Sequence, residues 1–128
     1  MIEYHINFEN RFLANKGVRA GMIFLEQYDE LFPGMGFSSM RDSLCSSSYP
    51  GEAEILEYLR NGNVHIATAA RLYDCFTQEC ISGYGCLVHM NDRKYSWTTK
   101  VIYYIEQYHL RLPYYIESDI LQKAKRNT

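Results

Sequence analysis

The sequence predicts an α+β fold with a helical N-terminal half, a small antiparallel β-meander over about residues 63–97, and two C-terminal helices packed on that sheet. Three observations predict it. Apolar residues recur at spacings of three and four before Gly62 and again after Ser96, the repeat of a helix with one buried stripe. Between them the repeat shortens to two, the period of a strand. Helices segregated around a run of short strands make α+β rather than α/β.

Taken in order, a short helix is expected around Phe8–Asn15, interrupted by Gly17. In "VRAGMIFLEQYDELF", Val18, Met22, Leu25, Tyr28 and Phe32 form one helical stripe, and Pro33-Gly34 stops it. Glu26, Asp29 and Glu30 fall on the other faces and read as solvated. "SLCSSSYPG", Ser43 to Gly51, is a loop. "PGEAEILEYLRNG" is the cleanest helix. Pro50 suits its first turn, Glu52 and Glu54 complement the helix dipole, Ile55, Leu56 and Leu59 make its buried stripe, and Asn61-Gly62 ends it.

Beyond Gly62, Val64, Ile66 and Thr68 alternate with His65 and Ala67 as in a strand. Thr77 to Glu79 suit the tip of one hairpin. "GCLVHMNDRKYSW" reads as another, with its tip at Asn91-Asp92, residues that tolerate left-handed backbone. Trp97, Val101, Tyr104, Ile105 and Tyr108 then return to helical spacing, and Lys100, Tyr103, Glu106 and Gln107 lie mostly off that stripe. Leu112 is forced extended by Pro113, which opens a last helix whose Ile116, Ile120 and Ala124 share a face. Glu117 and Asp119 sit early in it, and Lys123, Lys125 and Arg126 late, matching its dipole.

Length and charge bound the function. A chain of 128 residues, 47% hydrophobic and 22% charged, is expected to form one globular domain, residues 1–128. Its net charge of −2 lacks the basic footprint of a nucleic-acid binder. No apolar run approaches the roughly 20 residues of a bilayer span, and "MIEYHINFENRF" has neither the basic nor the apolar region of a signal peptide. The expectation is a cytoplasmic protein, no membrane partner, and reduced cysteines.

Chemistry-bearing residues are scattered. Cys75, Cys80, Cys86 and His89 offer zinc-type ligands at the spacing C-x4-C-x5-C-x2-H, though only the last pair has the knuckle spacing. If residues 85–90 form a strand, Cys86 and His89 point to opposite faces. Cys45 on the serine-rich loop is the candidate nucleophile, with His65, His89 and His109 as candidate bases. Asp92 and Lys94, with Asp74 and Glu79 upstream, echo the carboxylate-lysine sets of metal-dependent nucleases, in a pattern short enough to arise by chance. No phosphate-cradling glycine motif, H-E-x-x-H, G-x-S-x-G or EF-hand loop occurs, and nothing calls for a cofactor.

These absences favour a small non-catalytic domain that binds another protein, in the general format of an inhibitor or immunity-type protein. A metal-binding domain or small enzyme using Cys75, Cys80, Cys86 and His89, with His65, is the alternative. The contacts expected for a protein partner are the tyrosines Tyr103, Tyr114 and Tyr115 and the acids Glu26, Asp29 and Glu30. A short meander leaves edges to cover, so a homodimer through an edge strand is compatible with it.

Overall fold

The computed structural model describes residues 22–84 and 87–126. The expected helix over Phe8–Asn15, and Val18 of the next stripe, lie outside them. Three helices occur among the described residues: α1 (Glu52–Arg60), α2 (Thr99–Tyr108) and α3 (Tyr114–Arg126), with a single 3-10 turn at Met40–Ser43. Six strands accompany them: β1 (Ile23–Phe24), β2 (Asn63–Ala67), β3 (Leu72–Tyr73), β4 (Cys80–Ile81), β5 (Val88–Asn91) and β6 (Tyr95–Thr98). The architecture is α+β.

The second expected helix is the main correction. Met22, Leu25, Tyr28 and Phe32 do not share a helical stripe. Ile23 and Phe24 instead pair in parallel with Tyr95 and Ser96 of β6, through Ile23 N–H to Lys94 O and Leu25 N–H to Ser96 O, both 2.9 Å. A short apolar run satisfies either period, and the free edge of β6 offered it backbone partners. Only one turn of helical geometry survives, where the amides of Leu31 and Phe32 both reach the Tyr28 carbonyl.

The meander is present but divided. β2, β5 and β6 are antiparallel neighbours, and β1 makes the sheet mixed, in the order β1-β6-β5-β2. β3 and β4 form a separate two-stranded hairpin inserted between β2 and β5. The first expected tip holds, residues 74–79 joining β3 to β4; the second falls at 92–94 rather than Asn91-Asp92, because Asn91 still pairs with Ser96 as the end of β5 and Arg93 takes the left-handed backbone, φ +79°. Trp97 and Met90 are register partners and share one face of the larger sheet; His89 with Thr98, and Asn91 with Ser96, share the other.

The helices cover the Trp97 face. Ile55 and Leu59 of α1, Val101, Tyr104 and Ile105 of α2, and Ile116 and Ile120 of α3 are all buried in one cluster with Trp97. Trp97 belongs to β6 rather than to the helix, since Thr98 is the N-cap and accepts the Lys100 N–H at 3.2 Å. The Trp97 indole N–H donates to Leu59 O at 3.0 Å, fixing sheet to α1. Gly62 follows from that contact: a Cβ there would stand 2.4 Å from Trp97 Cζ2. At the other end of α2, His109 adopts φ +54°, and its N–H returns to Ile105 O at 3.0 Å, closing the helix.

Candidate functional site

Each side chain singled out by sequence, Cys86 excepted, has a place among the described residues. Glu26 is not solvated; it is 1% exposed, at the N-terminus of α2. Its Oε1 accepts from Thr98 N–H (2.7 Å), Thr98 Oγ1 (2.5 Å) and Val101 N–H (3.3 Å). Burial pushes its pKa up, against those hydrogen bonds and the nearby Lys100. Because the helical reading fails over residues 22–32, Glu26 is carried inward on the segment that follows β1. Glu30 is tied locally, with hydrogen bonds from Ser39 Oγ and Met40 N–H, both 2.6 Å, which organise the 3-10 turn. Asp29 is exposed.

Tyr103 is also inside, contrary to its position off the α2 stripe. The β3–β4 hairpin covers a second side of α2, so residues 101 to 105 are all buried. Asp74 is the joint. One oxygen of its carboxylate accepts the hydroxyls of Tyr103 and Tyr108, each at 2.5 Å. The other accepts the amides of Phe76 (2.7 Å) and Thr77 (3.0 Å). Burial opposes ionisation of Asp74, but these four donors outweigh it and hold its pKa below the ordinary value. Reciprocally, burial and the Asp74 charge push the Tyr108 phenol up to about 12. Tyr104 accepts the Cys75 amide at 2.9 Å in the same joint. The Asp74 carboxylate is filled, each oxygen accepting two hydrogen bonds.

A cleft of about 890 Å³ opens between α1 and α3, lined by Glu54, Tyr58, Trp97, Asp92, Leu121 and Lys123 among others. Its polar centre is engaged in holding the β5–β6 tip. Tyr58 hydrogen-bonds Asp92, Lys123 reaches the same carboxylate at 3.2 Å, and the amides of Lys94 and Tyr95 fill the other oxygen. On the adjoining face of α3, Asp119 accepts from Tyr95 at 2.8 Å and pairs with Lys94 at 3.0 Å. Those two contacts, the Tyr95 bond foremost, hold its pKa low.

The catalytic and metal sets do not assemble among the described residues. No group of three His, Cys, Asp or Glu side chains there is placed to hold an ion. Cys75 is half-buried against the core, Cys80 is exposed on β4, and His89 is buried in β5, stacked on Phe24 with ring centroids 6.1 Å apart. His65 is exposed on β2, and Cys86 lies outside the described residues. Cys45 meets His109 only through the backbone, its amide donating to the His109 carbonyl at 3.3 Å. The His109 imidazole faces Glu52 instead, at 2.8 Å, and no hydrogen bond joins it to the thiol. Asp74 and Asp92 belong to different hairpins with different partners.

Three tyrosines remain apart from all this: Tyr73, 55% exposed on β3, and an adjacent pair on α3. Tyr114 is 82% and Tyr115 64% exposed in the first turn of α3, where Pro113 starts the helix and presents them outward. Among the described residues the hydroxyls of Tyr114 and Tyr115 have no hydrogen-bond partner. By contrast, the hydroxyls of Tyr28, Tyr49, Tyr58, Tyr95, Tyr103, Tyr104 and Tyr108 all bond internal acceptors. The segment that presents the pair is held rigidly. Arg111 clamps the buried Glu117 with three bonds of 2.7–3.2 Å, and Glu117 also accepts the Leu112 amide at 3.0 Å.

No protein-family model matches the chain, and neither curated proteins nor solved structures yield a match. No helix among the described residues is long and apolar enough to cross a membrane.

Proposed function

We propose that the protein is a small, one-domain, non-catalytic binding protein of the cytoplasm whose partner is another protein, engaged through Tyr114 and Tyr115. One observation carries the reading: adjacent tyrosines, 82% and 64% exposed, stand on a clamped helix start with hydroxyls unbonded among the described residues, while seven others use theirs internally. Tyrosine is enriched at interface centres because it brings a large apolar ring and a polar tip at low entropic cost. Rigid presentation from α3 lowers the ordering cost of binding further. Asp29, also exposed, is a candidate rim contact; Glu26 and Tyr103 are too deeply buried to contribute.

The test is affinity capture from the source cell's lysate with the wild-type protein and with the double variant Tyr114→Ala/Tyr115→Ala. A stoichiometric protein retained by the first and lost by the second supports the proposal. A partner retained equally by both, or none retained by either, overturns it.

A further inference from the structure

We infer that the β2 edge of the larger sheet is a self-association surface, on which a second copy of this chain adds its own β2 across a two-fold axis. This is independent of the reading for Tyr114 and Tyr115. β2 is terminal in the order β1-β6-β5-β2, so one row of its backbone groups has no ladder partner among the described residues. The pairing of this segment with its β5 side runs past the strand proper, with Thr68 N–H to Leu87 O at 2.9 Å and Leu87 N–H to Ala70 O at 3.2 Å. Beyond the strand the chain turns, with Ala70 N–H donating to Thr68 Oγ1 at 3.1 Å. The strand itself, "NVHIA", Asn63 to Ala67, contains neither lysine, arginine, acid nor proline. Edge strands are ordinarily defended by such residues. The blunting devices of β2 are its five-residue length and a bulge between Val64 and Ile66, which leave Ile66 and Ala67 as the regular part of the edge.

Shape and charge favour a copy over an unrelated strand. An isologous interface needs knob and hole in one patch. Val64 is 64% exposed, beside a groove of about 510 Å³ whose lining includes Val88, Met90, Ile102 and Tyr84. Arg60 and Glu106 border the same groove, paired at 2.6 Å. A two-fold axis can set each charge against its opposite on the other copy, and an uncharged strand pairs with itself without like-charge repulsion.

The test is sedimentation equilibrium of the full chain across a concentration series up to about 1 mM, for the wild type, Val64→Lys, Ala67→Lys and Tyr114→Ala/Tyr115→Ala. Both lysines replace exposed side chains, and circular dichroism melts check that the fold is kept. The inference expects a wild-type dimer, dissociation at least about tenfold easier in each lysine variant, and no change in the tyrosine variant. A wild type that stays monomeric throughout overturns it. So does a dimer that both folded lysine variants retain, or one that only the tyrosine variant loses.

Discussion

Replacing Asp74 by alanine removes the joint between the β3–β4 hairpin and α2, and its cost can be worked from the contacts. Four donors lose their acceptor. Tyr103 is 6% exposed and cannot recover its bond from water, so a charge-assisted hydrogen bond of about 1.5–3 kcal/mol is lost there. Tyr108 and Phe76 are half-buried and recover part of theirs, leaving about 1 kcal/mol between them, and the exposed Thr77 amide recovers nearly all. The sum is about 2.5–4 kcal/mol, a large fraction of the 5–15 kcal/mol typical of a domain. Asp74→Asn keeps the oxygen that serves the two amides and loses the charge at the phenols, so it costs about 1–2 kcal/mol. Urea unfolding of the three proteins at neutral pH measures both. The sign with pH follows from the lowered pKa of Asp74. Its contribution is full above the ordinary carboxylate value of 3.8 and is lost as pH falls through the lower folded value. The gap between wild type and Asp74→Asn therefore persists down to about pH 4 and closes below it. An alanine variant within about 1 kcal/mol of wild type would mean that water serves the phenols as well as the carboxylate does, and that Asp74 is no joint.

Glu26 carries the opposite sign. Its folded pKa is raised, so its carboxyl favours folding below its ordinary value of 4.5, and that contribution is lost as pH rises through the folded value. Glu26→Gln keeps an acceptor for Thr98 and should be at least as stable as wild type at pH 7. Its advantage should shrink towards about pH 4, and a variant less stable than wild type by more than about 1 kcal/mol at pH 7 would count against a buried, charge-penalised Glu26. Gly62→Ala forces a Cβ against the Trp97 ring at 2.4 Å and should cost about 1–3 kcal/mol with a shifted Trp97 fluorescence maximum. An alanine variant with unchanged melt and emission would show that the sheet and α1 do not meet there as described.

The parts of the fold legible in the sequence are those where one period dominates. In α1, Ile55, Leu56 and Leu59 sit between dipole-matched acids and a stop at Asn61-Gly62, and local and tertiary signals agree. The residues around Pro113 behave likewise. The segment at Ile23–Phe24 was not legible, because its partner strand lies some 70 residues away and its own spacing fits a helix as well as a strand. The same remoteness hid the burial of Tyr103. Its exposure depended on whether the β3–β4 hairpin lies over α2, which no helical periodicity within residues 97–108 encodes. A signal was present in the composition: Val101 through Ile105 is an unbroken apolar and aromatic run, which suits a helix buried on more than one side. Asp74 gave none, as its role arises from tyrosines 29 and 34 positions away. Tyr114 and Tyr115 were visible because Pro113 fixes the helix start, leaving Ile116 and Ile120 to claim the inward face.

The measurement closest to the central claim is isothermal titration of the captured partner, purified, against wild type and Tyr114→Ala/Tyr115→Ala, with matched circular dichroism melts. The account predicts binding at least about a hundredfold weaker in the variant, as for loss of two interface anchors, at an unchanged melting temperature. Equal affinity in the two proteins would contradict it.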